Sequence, residues 1–134
     1  MTEDNRKLNI AVELEQSKDA LRAAETLLGV DLLRDAANRL YDAVSHATHA
    51  VLLSQGLEPK SHKGLVSLFG LHFIMPAVLP AELNETLIRL QGYREAADYA
   101  RGFTPTEAEF RRNLAAAHHF VATVRTWLVS GGLT

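Results

Sequence analysis

The residues of this chain that could act on a phosphate group are its arginines and histidines. There are six His residues and no Cys in the sequence, so thiol catalysis and zinc–thiolate sites are excluded. Arg94 falls within an apolar stripe at helical spacing, which consists of Leu83, Leu87, Leu90 and Ala97. A charge on an apolar face needs a partner, because burying it alone is costly. The expected partner is Asp98, which lies four residues further along the same helix surface.

The Arg94–Asp98 pair has a structural and a functional interpretation. In the first, the pair ties its helix to neighbouring helices or to a second protomer. In the second, Arg94 binds a phosphate or another anion in a cleft, and Asp98 orients its guanidinium group. Tyr99 points away from the stripe; a phenol is a poor general base at neutral pH but can donate a hydrogen bond to a phosphate. Arg94, Asp98 and Tyr99 are therefore candidate cleft residues, and Arg94 and Tyr99 are also candidates for a catalytic role.

A second polar group lies along one face of another helix. Its members follow one another at spacings of three or four residues: Asp35, Arg39, Asp42, His46 and His49. One interpretation is a solvated or dimer-facing stripe held by ion pairs. Another is a functional cleft that contains Arg39, Asp42 and His46, with His46 as a possible proton carrier. The third is a metal site of Asp42, His46 and His49, which a single helix would hold only in strained geometry. We therefore predict no metal and no cofactor.

Five helices are predicted to carry these residues. Apolar periodicity and capping signals indicate helices over about Asn5–Leu28, Leu32–Ser54, His62–Phe69, Ala81–Arg101 and Pro105–Val129. The segment Met75–Pro80 is predicted to be a loop. Long amphipathic helices with short connections are typical of an all-α, antiparallel up-and-down bundle of four to five helices. We expect a single domain over residues 1–134.

The ends of the helices are predicted from small polar residues and glycines. The predicted N-terminal caps of the first, second, third and fifth helices are Asp4, Asp31, Ser61 and Thr104. Thr104 is followed by Pro105 for the first turn and by Glu107 as a capping-box acid. The predicted C-terminal stops are Gly29, Gly56, Gly102 and Gly131.

The charge and hydropathy of the chain limit its partners. The net charge of -2 gives no general reason to expect nucleic-acid binding, although a local groove can still be basic. The residues from Met1 to Lys7 do not have the layout of a signal peptide. No apolar run approaches the roughly 20 residues that span a bilayer. We therefore expect a cytoplasmic protein without a membrane segment.

Three segments of the chain resemble one protein family. In order, they are NRLYDAVSHATHAVLLSQGL, SHKGLVSLF and YREAADYARGFTPTEAEF. Their order and spacing resemble the HEPN family, in particular a small prokaryotic subgroup, and the resemblance extends from about Asp19 to Trp127. It implies a bundle of four or five helices that commonly dimerises, with a cleft between protomers. It also implies one of several functions: many members are metal-independent ribonucleases, often toxins of toxin–antitoxin modules, and others pair with a separately encoded nucleotidyltransferase.

The ribonuclease signature that this resemblance implies is an Arg followed, after four to six residues, by a His. Arg94 is the matching Arg, but the positions for the His hold Tyr99, Ala100 and Arg101. We therefore expect a homodimeric accessory or toxin–antitoxin component that works beside a nucleotidyltransferase or an antitoxin and does not cleave RNA, although RNA or a nucleotide is a candidate ligand. The alternatives are a metal-independent ribonuclease with a displaced site and a stand-alone interaction module.

A displaced ribonuclease site has several candidate histidines. His46 lies seven residues after Arg39, and His118 and His119 follow Arg112 at similar spacing. A chain with this many Arg and His residues meets so loose a pattern by chance. Such an enzyme would use Arg94 on the phosphate and His46 or another His for proton transfer. His62 is interpreted as a local residue at the start of the short third helix.

Overall fold

The computed structural model describes residues 2–99 and 101–134, and all regular structure within them is helical. The α-helices are α1 (Glu3–Gly29), α2 (Leu33–Ser54), α3 (His62–Phe69), α4 (Ala81–Tyr99) and α5 (Glu107–Ser130), and a π-helical turn, Gly70–Ile74, follows α3. The prediction of an all-α bundle of four to five helices is confirmed. The predicted end of the fourth helix includes Ala100, which lies outside the described residues. No helix in the described part of the chain is both long and apolar enough to cross a membrane.

Helix α1 runs opposite to α2, and α4 runs opposite to both α2 and α5, so α2 and α5, which also pack together, run in the same direction. Between α1 and α2, the Ser17 hydroxyl donates to Ala43 O at 2.7 Å. Glu13, four residues earlier on α1, contacts His46, which lies three residues later on α2. Residue numbers therefore rise along α1 in the direction in which they fall along α2. The same holds for the side-chain contacts between α4 and α5, which join Arg89 to Asn113 and Glu82 to His119.

Helix α2 lies at the centre of the bundle and packs against α1, α4 and α5. It contains five fully buried alanines, which are Ala36, Ala37, Ala43, Ala47 and Ala50. Because an alanine side chain adds little width to a helix, the neighbouring helices approach α2 closely. This close approach is what brings side chains of α1, α3 and α4 to the polar residues of α2.

Aromatic rings from α3, the π-helical turn and α5 fill one end of the core. The ring of Phe69 lies 6.0 Å from that of Phe73 and 5.8 Å from that of Phe120, and Trp127 meets Phe73 edge-on at 5.4 Å. The π-helical turn was not predicted. In it, the Met75 N–H bonds to Gly70 O, five residues back, at 2.8 Å. Such a wider turn changes the direction of the following side chains, and here Phe73 is buried in the core.

The predicted caps of α1 and α2 are wrong. The hydroxyl of Thr2, rather than the carboxylate of Asp4, caps α1 by accepting from the Asn5 N–H at 3.1 Å. Asp31 does not cap α2 but completes the end of α1, where its φ of 60° lies in the left-handed region that Asp tolerates. Helix α1 therefore continues through Gly29, and Leu32 stands at the N-cap of α2 without a side-chain cap.

The cap of α3 is confirmed, and that of α5 is corrected by two residues. The Ser61 hydroxyl accepts from the Gly64 N–H at 3.0 Å. In α5 the cap is Thr106, whose hydroxyl accepts from the Glu109 N–H at 3.2 Å. Thr104 and Pro105 precede this cap, so Glu109 rather than Glu107 stands at the capping-box position.

The Thr106 cap predicts a measurable difference between two threonines. Thr106→Ala should lower the free energy of unfolding by about 1 kcal/mol, because it removes an N-cap hydrogen bond. Thr104→Ala is the matched control: the Thr104 hydroxyl makes only a 3.4 Å contact with Gly102 O, so its effect should stay within about 0.5 kcal/mol. Urea denaturation followed by circular dichroism measures both. A larger loss in Thr104→Ala than in Thr106→Ala would contradict this assignment.

Candidate functional site

Arg94 is held by α2 as well as by its own helix. Its Nε donates to Asn38 Oδ1 on α2 at 3.1 Å and lies 3.7 Å from Asp98 Oδ2. The amide nitrogen of Asn38 donates to Asp98 Oδ1 at 2.8 Å. Each of these three side chains therefore contacts the other two. The Asp98 carboxylate and the Asn38 carbonyl provide the polar partners that a guanidinium group beside an apolar stripe requires.

A second arginine, Arg34, fastens the end of α4 to α2. Its Nη1 donates to Ala97 O at 2.9 Å, and its Nη2 donates to Phe103 O. Ala97 O belongs to the last turn of α4, where carbonyl groups lack partners within the helix and carry partial negative charge. The Arg34 guanidinium therefore keeps the part of α4 that carries Arg94 and Asp98 against α2.

His62 reaches Arg94 from a third helix, at the N-terminus of α3. Its Nε2 lies 3.4 Å from Arg94 Nη1, and its Nδ1 lies 2.7 Å from the Tyr41 hydroxyl. The imidazole meets the Tyr41 ring edge-on at 5.2 Å, and the Arg94 guanidinium lies over the same ring, 5.4 Å from its centre. We call Asn38, Tyr41, His62, Arg94 and Asp98 together the Arg94 cluster.

The partners of His62 determine which of its ring nitrogens carries the proton. An arginine only donates hydrogen bonds, so its contact with His62 Nε2 requires a lone pair on that nitrogen. The proton of the neutral ring then lies on Nδ1 and is donated to the Tyr41 oxygen. Burial raises the pKa of Tyr41, and the hydroxyl also bonds with Ser45. Tyr41 is therefore a neutral phenol that holds His62 in the tautomer with an unprotonated Nε2.

On one side, the Arg94 cluster borders a pocket rich in carboxylates. The pocket has a volume of about 520 Å³ and is lined by Leu27, Asp35, Asn38, Arg39, Asp42, Arg94 and Asp98. Four of the predicted cleft residues, Arg39, Asp42, Arg94 and Asp98, are thus brought together. Three aspartates face two arginines, and Arg39 already pairs with Asp42 at 3.3 Å. The excess negative charge disfavours a phosphate on this side.

On its other side, the Arg94 cluster borders a smaller pocket without a carboxylate among its described lining residues. This pocket has a volume of about 280 Å³ and is lined by His49, Pro59, Lys60, Ser61, His62 and Leu65. The side chain of Arg94 is 32% exposed, but it lines the carboxylate-rich pocket and is not among the lining residues of this one. An anion in this pocket therefore meets Lys60 and His62, and it adjoins Arg94 through the contact of His62 with Arg94 Nη1. Of the two sides, the one with His62 is suited to a phosphate.

The other predicted site residues lie apart from the Arg94 cluster. His46 Nδ1 contacts Glu13 Oε2 on α1 at 2.7 Å. Tyr99 is 81% exposed and lines neither of the two pockets. His118 and His119 also pair with glutamates, at 3.0 Å from Glu25 and 2.9 Å from Glu82 respectively. His62 is thus the histidine that contacts an arginine in the described part of the chain.

The metal interpretation of the α2 face requires Asp42, His46 and His49 to converge on one ion. Asp42 instead contacts Arg39, and His46 contacts Glu13. Within residues 2–99 and 101–134, no group of three or more potential ligands is brought together. The ion-pair interpretation accounts for Arg39, Asp42 and His46, while Asp42 and Arg39 also border the carboxylate-rich pocket.

Sequence reasoning missed three residues of the Arg94 cluster. His62 was interpreted as local, and Asn38 and Tyr41 were given no role in the site. Asn38 lies four residues after Arg34, on the face of α2 that meets α4. A polar residue there is a possible partner for Arg94, because a charge within an apolar stripe needs one. Tyr41 and His62 carry no local signal of their contact, since they meet only when α3 packs against α2.

Comparison with known proteins identifies relatives over most of the chain. The family model described as HEPN domain matches residues 11–127. A protein of Methanocaldococcus jannaschii is 32% identical over 112 residues, which cover 84% of this chain and 83% of the relative. A second protein of that organism is 28% identical over 117 residues, which cover 87% of this chain and 80% of the relative. Both are named "Putative toxin".

The burial of His49 predicts a pH dependence of stability. Burial lowers the pKa of His49 below its ordinary value of 6.5, although the nearby Glu13 opposes this effect. As the pH falls below 6.5, the unfolded chain binds more protons than the folded chain at this residue, and the folded state loses stability. The variant His49→Gln should therefore lose less stability than the wild type on acidification from about pH 7.5 to about pH 5.5.

The measurement is urea denaturation at both pH values, with His72→Gln at an exposed position as the matched control. The control should retain the wild-type pH dependence. If His49→Gln and the wild type lose equal stability on acidification, His49 is not a half-buried neutral imidazole.

Proposed function

The chain belongs to the HEPN family, and from this premise we propose that it is a toxin-like protein that cleaves RNA without a metal ion. The observation that carries the proposal is the 3.4 Å contact between His62 Nε2 and Arg94 Nη1. The ribonuclease signature that the resemblance implies places a His four to six residues after the Arg, and Arg94 has none there. We propose that His62, on α3, takes the place of that His.

The tautomer of His62 suits it to the role of general base. When a phosphate draws the Arg94 guanidinium away from His62, the Nε2 lone pair that accepts from Arg94 Nη1 in the free protein becomes free to take the proton of a ribose 2′-hydroxyl, and O2′ then attacks the adjacent phosphorus. The O2′–P bond forms, the P–O5′ bond breaks, and the leaving O5′ takes a proton from water. The products are a 2′,3′-cyclic phosphate and a 5′-hydroxyl. Arg94, assisted by Lys60, stabilises the negative charge on the non-bridging oxygens.

Tyr41 has a positioning role in this mechanism. Its hydroxyl accepts the Nδ1 proton of His62 at 2.7 Å, which fixes both the direction of the ring and the nitrogen that lacks a proton. The Arg94 guanidinium also lies over the ring of Tyr41, which stabilises it through a cation–π contact. One fully enclosed residue of α2 thus orients the proposed base and the proposed phosphate ligand together.

Names of relatives and the family resemblance support the biological part of the proposal. Two relatives are named as toxins in the words quoted above, and we propose that this chain acts likewise as the toxin-like component of a pair. The pair would contain a homodimer of this chain and a separately encoded antitoxin or nucleotidyltransferase. Exposed apolar side chains at Leu71, Met75 and Val78 offer the kind of surface that a protein partner covers.

A second candidate function is an accessory protein that binds RNA or a nucleotide without cleaving it. The arrangement around the Arg94 Nε favours this candidate, because Asn38 and Asp98 already occupy that nitrogen. In addition, Asp35, Asp42 and Asp98 line the larger pocket beside Arg94. In this case Arg94 would mainly join α4 to α2, and its exposed part would contribute one contact to a ligand.

Incubation of the purified protein with RNA in the presence of EDTA separates the two candidates. The wild type should cleave RNA, and Arg94→Gln and His62→Gln should each lower the rate by at least about 100-fold, because each removes a group that acts in the transition state. His118→Gln and His46→Gln are the matched controls, since both residues pair with glutamates outside the Arg94 cluster. Thermal unfolding of every variant shows whether it is folded.

Two results would overturn the ribonuclease proposal. The absence of cleavage by the wild type over a range of RNA substrates would favour the accessory protein. Cleavage that is retained in His62→Gln but lost in His46→Gln would move the site to the face of α2. The sizes of the products and their 2′,3′-cyclic ends, measured by mass spectrometry, identify the bond that is broken.

A further inference from the structure

A cleft separates α4 from α5 on the side of α4 away from the carboxylate-rich pocket. Both helices pack mainly on α2 and only little on each other, which leaves a pocket of about 700 Å³ between them. Its apolar walls are Tyr93, Ala96 and Phe103, and the rings of Tyr93 and Phe103 stand nearly perpendicular at 5.8 Å. Neither Arg94 nor His62 lines it. The volume lies within the range of small-molecule sites.

The hydroxyl of Tyr93 is buried without a partner. The residue is 7% exposed, and its oxygen has no hydrogen-bond partner in the described part of the chain. Burial raises the pKa of Tyr93 to about 12, with a further contribution from Glu109. Tyr93 is therefore a neutral hydrogen-bond donor. Buried hydroxyl groups are normally paired, so the unpaired hydroxyl lacks a partner; its oxygen has less than 1 Å² of accessible surface, so a ligand in the adjoining pocket can supply that partner once the Tyr93 ring shifts towards it.

Two arginines stand at the rim of this pocket with donors to spare. The Nε of Arg89 donates to Asn113 Oδ1 at 3.2 Å, which fixes the guanidinium group and leaves its two terminal nitrogens available. Arg112, on α5, has no ion pair or hydrogen bond with any described side chain. Its neighbour Arg111 differs, since it pairs with Glu107 at 3.5 Å. Two arginines from facing helices are suited to an oxyanion.

The polar residues of the pocket are not all cationic. Glu109 also lines it, and a carboxylate accepts hydrogen bonds from an N–H group rather than from an oxyanion. The aromatic walls favour a flat ring, which stacks or packs edge-on against Phe103 and Tyr93. The pocket therefore combines a place for a ring, an acceptor for an N–H group and a pair of cations.

We propose that this pocket binds a small planar aromatic anion, a ring with an N–H group and a carboxylate or phosphate. The anion contacts Arg89 and Arg112, the ring lies against Phe103, and its N–H group donates to Glu109. After a shift of its ring that exposes the oxygen, Tyr93 donates its hydroxyl proton to an acceptor on the ligand. Aromatic carboxylates and nucleoside monophosphates share this chemistry. The site is independent of the proposed RNA cleavage, because none of these residues belongs to the Arg94 cluster.

Isothermal titration calorimetry with indole-3-acetate, guanosine 5′-monophosphate and inorganic phosphate tests the proposal. At least one of the two ring-bearing anions should bind to the wild type, and inorganic phosphate should bind more weakly because it lacks the ring. Arg112→Gln should weaken the binding by about tenfold or more, since it removes a charged hydrogen-bond donor. Arg111→Gln is the matched control one residue away and should bind like the wild type.

Tyr93→Phe provides a second test, and a change of surface charge alone would not give its expected result. The variant should bind the ligand more weakly, yet its melting temperature without ligand should rise, because it no longer buries an unpaired hydroxyl. Binding by neither ring-bearing anion would overturn the proposal, as would equal losses in Arg112→Gln and Arg111→Gln. RNA cleavage by Arg112→Gln stays at the wild-type rate in either case, so the two sites are tested separately.

Discussion

The close packing of other helices around α2 is the constraint on which the rest of the structure depends. Five fully buried alanines make α2 narrow, and α1, α4 and α5 approach it from different sides. Polar residues of α2 consequently contact other helices rather than water alone. Asn38 meets α4, Tyr41 meets α3, and His46 meets α1. Each side chain that reaches α2 is positioned by a helix whose own place is determined by this packing.

The charge of Arg94 divides its surroundings into two environments. Asn38 and Asp98 hold the Nε of the guanidinium group, and the carboxylates of α2 continue on that side. The terminal nitrogen Nη1 instead faces the imidazole of His62, over the ring of Tyr41. Because an aromatic ring and a neutral imidazole do not neutralise the guanidinium charge, the positive charge remains available on that side. Arg94 can therefore pair with Asn38 and Asp98 on one side and keep its other side open to a phosphate.

Amphipathic periodicity together with capping signals predicted the five helices, and the predicted stripes of α1, α2, α4 and α5 lie on the faces that these helices bury. The caps were less predictable: Thr104 and Thr106 both flank Pro105, and the local sequence does not decide between two hydroxyl groups. The Arg94–Asp98 pair was predictable because its spacing is a property of a single helix. His62 was not, since it lies 32 residues from Arg94. Their contact depends on the direction in which α3 leaves α2, which no local pattern encodes.

The tautomer of His62 is the most direct measure of whether Arg94 and His62 act together. Long-range proton–nitrogen NMR correlation of the imidazole ring distinguishes a protonated from an unprotonated nitrogen. We predict that the neutral ring carries its proton on Nδ1, with the Nε2 lone pair towards Arg94. A neutral ring with its proton on Nε2 would contradict the proposed site, because two donors would then face each other and the nitrogen assigned as the base would not be free.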